Sequence, residues 1–265
     1  MKGAIRLKQF TGHPNAGDAA SAVIVSELAG EEVLIVGKEP CGAPNLIATG
    51  SILHWADPNS VIWGTGLIHE GVPLIPPRAL CAVRGRLTRD ILHAHGVICP
   101  EVFGDPAILM SRVRPRPDAR TAEIGFVPHY VDLDSDFVKR ARAAGVPIID
   151  PLQPLDDYLS QLAACRNIIS SSLHGIIFAH AYGIPAAWLR LSDRILGNGF
   201  KFRDYYSSIG FHPGDTPCFG PKEQLGRIAN NCHLPAAVID SAALIEAFAS
   251  ALHELRRNGN DLARR

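Results

Sequence analysis

A chain of 265 residues is long enough for one large α/β domain or two modest ones, each burying its own core. Its 26 basic side chains balance 26 acidic ones, so no global field draws it to nucleic acid or to an anionic membrane, and any anion it binds must be held locally. An apolar content of 47% marks a folded globular chain, yet no uninterrupted apolar run reaches the roughly 18–20 residues of a membrane helix.

The start, MKGAIRLKQFTGHPNAGD, lacks the long apolar segment of a secretory signal, which makes the cytoplasm the expected location. Asn15-Ala16-Gly17-Asp18 precedes a predicted helix at 19–28. Its Gly-Asp turn reads equally as a helix cap or as a carboxylate placed at a cleft. Short β-branched runs at 33–36, 46–49, 61–63 and 80–83 read as strands, the last three leading into Gly50-Ser51, Gly64-Thr65-Gly66 and Arg84-Gly85-Arg86. A helix is predicted next, at 87–95. Arg84 and Arg86 flank a flexible glycine, which makes either a cradle for a carboxylate or phosphate or two ordinary surface arginines. Phe103-Gly104-Asp105-Pro106 reads as a turn that shapes a crevice.

At RVRPRPDART, residues 112–121, composition shifts to arginine and proline, as in a linker. The alternation then restarts with a strand at 124–127 leading to His129, a helix at 136–144, a strand at 146–149, a helix at 155–164 and the end of a strand at 168–169. GFKFRDYYSSIG, residues 199–210, has little helical or strand periodicity; its tyrosines suit sugar faces and its Lys201 an anion, with a solvated loop as the competing reading. Leu244, Ile245, Phe248, Leu252 and Leu255 fall on one face of a helix at 241–257, and the tail at 258–265 is expected to fray. These alternating elements predict an α/β fold with largely parallel sheets. The expected division is an N-terminal half, residues 1–115, and a C-terminal half, residues 116–265, that includes the helix at 241–257. Six cysteines lie far apart with no CxxC or zinc spacing, so they read as core or surface thiols and no metal is expected.

The stretch IISSSLHGIIFAHAYGIP, residues 168–185, carries the sharpest question. A buried strand ends in Ser170-Ser171-Ser172, and a helix opens at Leu173-His174-Gly175. The amides of such a helix mouth, at the carboxyl end of a parallel strand, bind phosphates and carboxylates. A serine-capped core helix with a packed histidine is the competing account. His174 is conspicuous because the residues after it are strongly apolar and because imidazole suits proton transfer near neutrality. His180 faces another side of the helix and reads as structural.

The ordered motifs NAGD, ATGSILH, VIWGTGL, AVRGRLT, VFGDPAIL, FVPHY, ISSSLHGIIFAHAYGIP and KFRDYY together resemble the polysaccharide pyruvyl transferase family, most closely its bacterial exopolysaccharide members. The likeness runs from about residue 15 to about residue 210. It implies a GT-B-like fold, two Rossmann-like halves with the active site between them. It also implies the reaction: phosphoenolpyruvate donates pyruvate, which becomes a cyclic ketal across two hydroxyls of a hexose in a lipid-linked repeat unit, with phosphate released. No further cofactor is implied. The lipid-linked acceptor implies transient work at the inner face of the membrane. Carried over from the resemblance, Leu173, His174, Arg84 and Asp18 are associated with donor binding and catalysis.

Many family members carry arginine directly before Leu-His, where this chain has Ser172. The missing charge is expected from Lys201, Arg86 or Arg203. Within that reaction Arg84, Arg86, Lys201 and the helix mouth with Ser171 and Ser172 hold the donor, cationic His174 protonates C3, Asp18 is the base for an attacking hydroxyl, and His129 contacts the acceptor. Two other classes remain open: a nucleotide-sugar glycosyltransferase on the same fold, and a non-catalytic sugar- or anion-binding relative. Against the first, FAHAYGIP lacks the glutamate that commonly holds the ribose in retaining members.

Overall fold

The computed structural model describes residues 4–115, 120–235 and 239–257. Residues 116–119 of the expected linker and the tail at 258–265 lie outside these. The protein is α/β, with two parallel sheets. The first takes β1 (Ile5–Lys8), β2 (Val33–Val36), β3 (Asn45–Ile47), β4 (Ser60–Trp63) and β5 (Ala79–Ala82) in the order β2-β1-β3-β4-β5. The second takes β6 (Ala122–Val127), β7 (Cys165–Ser170) and β8 (Ala186–Trp188) in that order. Every residue of β3 and β4 is buried, as expected of parallel strands covered on both faces.

The helices follow in chain order: α1 (Ala16–Ala29), α2 (Arg86–Ala94), α3 (Met110–Val113), α4 (Asp136–Ala143), α5 (Leu155–Ala163), α6 (Leu173–Ala181), α7 (Phe200–Ser208), α8 (Leu225–Ala229) and α9 (Ser241–Arg256). One continuous apolar core runs from the first sheet through α1 and α6 to the second. It joins Leu7, Ala20, Ile24 and Trp63 to Val127, Ile168, Ile176 and Phe178. Burial therefore ties the two sheets together through one core.

Three expectations differ from what forms. Residues 146–149 contribute only a parallel bridge from Ile148 to Phe126. Residues 200–208, read as having little periodicity, are helix α7, in which Phe200, Phe202, Asp204, Tyr205, Tyr206 and Ser207 are all buried. A helix buried nearly all round has no amphipathic period to read. The helix α9, expected with the second half, packs against β4 and β5 of the first sheet. There Trp63 Nε1 donates to the Leu244 carbonyl at 2.8 Å, and the Trp63 and Phe248 rings lie 4.3 Å apart.

Candidate active site

Each sheet has a point where strand order reverses: between β1 and β3 in the first, and between β6, with the Ile148 bridge on its far side, and β7 in the second. Ligands of open α/β sheets bind outside the carboxyl ends of strands at such points. A cavity of about 260 Å³ lies there, lined by Asp18 and His13 after β1, Ser51 and Trp55 after β3, His129 and Tyr130 after β6, and Ser172, Leu173 and His174 after β7. Lys201, on the first turn of α7, closes the set.

Two helix N-termini meet in this cavity. At α1 the Asn15 side chain caps Gly17 N at 2.9 Å. At α6 no side chain caps the helix, although Ser172 occupies the cap position. The Ser172 amide instead donates to Ser170 Oγ at 3.0 Å. The first-turn amides of α6 are thus left for a ligand, and the positive ends of both helices favour an anion. Close packing of the two helices depends on Gly17, where a Cβ would lie 2.0 Å from His174 Nδ1.

The charges in the cavity are held away from their ordinary states. Burial drives the His174 imidazole down to about 3, and the cations Lys201 and Arg84 push the same way. Burial together with Lys201, His13 and His174 holds His129 at about 3 as well. Asp18 is raised to about 6 by burial, against the pull of His13 and Lys201. Lys201 is lowered to about 8 by burial and by Arg84, with Asp18 opposing. At neutral pH these shifts favour a neutral His174, a largely ionised Asp18 and a cationic Lys201. His174 Nε2 is buried and has no hydrogen-bond partner among the described residues.

Asp18, His129, Ser172, Leu173, His174 and Lys201 are brought together; Arg84, Arg86 and Ser171 are not among the lining residues. Arg84 is 0% exposed and ion-paired to Asp204 at 2.9 Å, because β5 ends beneath α7 rather than in the open. Arg86 is exposed and lies over the Phe103 ring at 4.8 Å, on the outer side of α2. Ser171 is buried, and its hydroxyl accepts the His129 amide at 2.8 Å, tying the end of β7 to the end of β6. Of the cations expected to replace the arginine absent at Ser172, Lys201 lines the cavity, whereas Arg203 donates to the Asn198 carbonyl at 2.8 Å.

Sequence reasoning passed over an aromatic mouth of Phe10, His13, Trp55 and Tyr130. His13 and Tyr130 rings lie 4.2 Å apart, and Phe10 and His13 rings 5.0 Å apart. His54 also lines the cavity, with Nδ1 buried and unpartnered among the described residues. The only local signal was an aromatic or histidine shortly after each of several strand ends.

The fold is that of an α/β protein whose cavity lies at the carboxyl ends of strands from two parallel sheets. Comparison with known proteins makes this specific. The sequence profile of the polysaccharide pyruvyl transferase family matches residues 73–193. An uncharacterized protein, L143, of Acanthamoeba polyphaga mimivirus is 31% identical over 221 residues, covering 78% of this chain and 75% of that protein. The succinoglycan biosynthesis protein ExoV of Rhizobium meliloti (strain 1021) is 26% identical over 184 residues, covering 65% of this chain and 56% of that protein. The chain belongs to the polysaccharide pyruvyl transferase family. The matched profile spans Arg84, His129 and His174, while Asp18 and Lys201 lie outside it. Among the described residues no helix is long and apolar enough to cross a membrane.

Proposed function

We propose that the protein transfers pyruvate from phosphoenolpyruvate to a hexose of a lipid-linked exopolysaccharide repeat unit, forming a cyclic ketal and releasing phosphate, in a GT-B-like arrangement of two Rossmann-like halves. The observation that carries this reading is the convergence of two helix N-termini with Lys201, His174 and Asp18 in one small cavity. A cavity of about 260 Å³ falls below the roughly 300–1,000 Å³ of pockets that enclose drug-sized ligands. That size favours a compact donor over a nucleotide sugar.

In the proposed sequence the donor's phosphate and carboxylate lie against Lys201 and the uncapped α6 amides. Bringing that negative charge beside the neutral imidazole raises its proton affinity, so His174 takes up a proton as the donor binds. It gives this proton to C3, which becomes the methyl carbon. One sugar oxygen adds to C2, with its proton passing to Asp18. The second oxygen then displaces phosphate from C2, and its proton leaves with the phosphate. Asp18 returns its proton to His174 or to solvent, and the bookkeeping closes on ketal plus hydrogen phosphate. The aromatic mouth of Phe10, Trp55 and Tyr130 offers apolar faces to the sugar ring, and His129 stands beside it.

The test is to incubate purified protein with phosphoenolpyruvate and a panel of hexosides, measuring released phosphate and a mass gain of one pyruvate ketal. Phosphate release that stops in His174→Ala is expected. Consumption of a UDP- or GDP-sugar instead would overturn the reading. Turnover should decline as pH falls through about 6, where Asp18 takes up its proton, and as pH rises through about 8, where Lys201 loses its own. Asp18→Asn should leave a slow enzyme whose rate no longer has the acid limb.

A further inference from the structure

The Arg84 guanidinium is held inside the protein at all three of its nitrogens. Nε donates to Asp204 Oδ2 at 2.9 Å, and Nη2 reaches the same oxygen at 2.9 Å and the Leu67 carbonyl at 2.6 Å. Nη1 donates to the Gly50 carbonyl at 3.2 Å and to Ser51 Oγ at 2.5 Å. Gly66 covers the guanidinium so closely that a Cβ there would lie 2.5 Å from Arg84 Cζ. This arginine is fully buried and does not line the cavity.

Ser51 does reach the cavity, which it lines together with Asp18, His174 and Lys201. Its oxygen accepts from a cation, so its own O–H must point away from Arg84 and is free to donate. A hydroxyl whose oxygen accepts a charge-assisted bond is polarised into a stronger donor. The turn that carries it is pinned from several sides: the Gly50 amide donates to Asp105 Oδ2 at 3.0 Å, and the Gly50 carbonyl accepts from Thr65 Oγ1 at 3.1 Å. A fixed, polarised donor of this kind is suited to an oxyanion.

We infer that Ser51, and not Arg84, touches the anionic donor: its hydroxyl donates to a phosphoryl or carboxylate oxygen, and Arg84 is a positioning residue that aims and polarises it. The identity of the anion as phosphoenolpyruvate rests on the function proposed above; the assignment of Ser51 as an anion donor does not.

The experiment measures the dissociation constants of inorganic phosphate and of phosphoenolpyruvate by calorimetry, and the KM and kcat for phosphoenolpyruvate, in wild type, Ser51→Ala and Ser51→Thr. Ser51→Ala should raise KM and both dissociation constants about tenfold or more, the scale of a lost hydrogen bond to a charged group. Its melting temperature should fall by a few degrees, because one buried Arg84 N–H loses its acceptor, and Ser51→Thr should restore it. Ser51→Thr, which keeps the hydroxyl, should recover most of the affinity, a rescue that a purely structural role for the turn would not give. In the Ser51→Ala background Arg84→Lys should add little to the KM, because the route through the hydroxyl is already gone; additive losses would mean that Arg84 acts on the donor by another path. If wild type turns over phosphoenolpyruvate and Ser51→Ala matches it, this inference fails alone. A wild type that binds phosphate but not phosphoenolpyruvate, with phosphate binding weakened by Ser51→Ala, would overturn the donor reading and leave Ser51 in place. Binding of neither anion would overturn both.

Discussion

His174 shows how a single side chain is governed by the backbone opposite it. The imidazole lies over Gly17, and a methyl group there would stand 2.0 Å from Nδ1. Gly17→Ala forces either the ring or the α1 N-terminus to move. Overpacking of this kind costs about 1–3 kcal/mol, and the expected result is a lower melting temperature together with a kcat reduced more than the KM for donor is raised. An Ala variant with unchanged kcat would mean that the ring has room the packing denies it. In the proposed reaction the same histidine would make donor binding a proton-uptake event, because its imidazole sits near 3 and rises beside a bound anion. Calorimetric titrations with phosphoenolpyruvate in two buffers of different ionisation enthalpy should therefore show net proton uptake at neutral pH. His174→Gln should reduce that uptake, leaving the smaller contributions of Asp18 and Lys201.

At the scale of elements, the joint between α2 and α7 is the most exacting. Asp204 of α7 lies fully buried at the N-terminus of α2, accepting from Thr88 N at 2.8 Å and Thr88 Oγ1 at 2.7 Å as well as from Arg84. A carboxylate there caps the helix from another element and neutralises a buried cation. The fit requires Gly85, whose Cβ would lie 1.8 Å from the Asp204 carbonyl oxygen. Asp204→Ala leaves Arg84 buried without its counter-charge and should cost about 3–5 kcal/mol, read as a lowered midpoint in denaturant unfolding.

This joint also shows what the sequence could and could not carry. The β–α alternation and the Ser170-to-Gly175 turn were legible because strand and helix mouth have local signatures. The helix α7 was not, since it is buried on almost every side. Strand β1 was not, since IRLK looks half-solvated, whereas Lys8 is buried with Nζ on Asp57 at 2.7 Å and on the Trp55 carbonyl at 2.8 Å. The same buried ammonium holds Trp55 at the cavity mouth. For Arg84 the sequence allowed a ligand cradle or a surface arginine but not a buried ion pair, because its partner lies 120 residues further along the chain. No local pattern encodes a partner that distant.

Across the whole molecule, burial of neutral histidines sets the response to acid. His129, His174 and His180 all sit near 3, well below the ordinary 6.5 of an exposed imidazole. On unfolding each ring recovers its ordinary basicity, so the unfolded chain binds more protons as pH falls below about 6.5, and stability falls with it. Asp18 and Asp105, both raised to about 6, act in the opposite sense between about 6 and 3.8, and offset only part of the larger histidine shifts. The melting temperature should fall between pH 7.5 and pH 5. His180→Gln should reduce that fall. A melting temperature that is flat or rises over this range would contradict the burial of these rings in neutral form.

The position of α9 bears on how the protein is made. Its residues are synthesised after both sheets, yet it covers β4 and β5 of the first, where Trp63 and Phe248 pack ring to ring. During elongation on the ribosome the first sheet must wait, with that apolar face open, until the whole second half has emerged. The N-terminal half therefore does not mature on its own ahead of the rest, and a fragment ending at residue 115 should be recovered as aggregate unless α9 is supplied in trans.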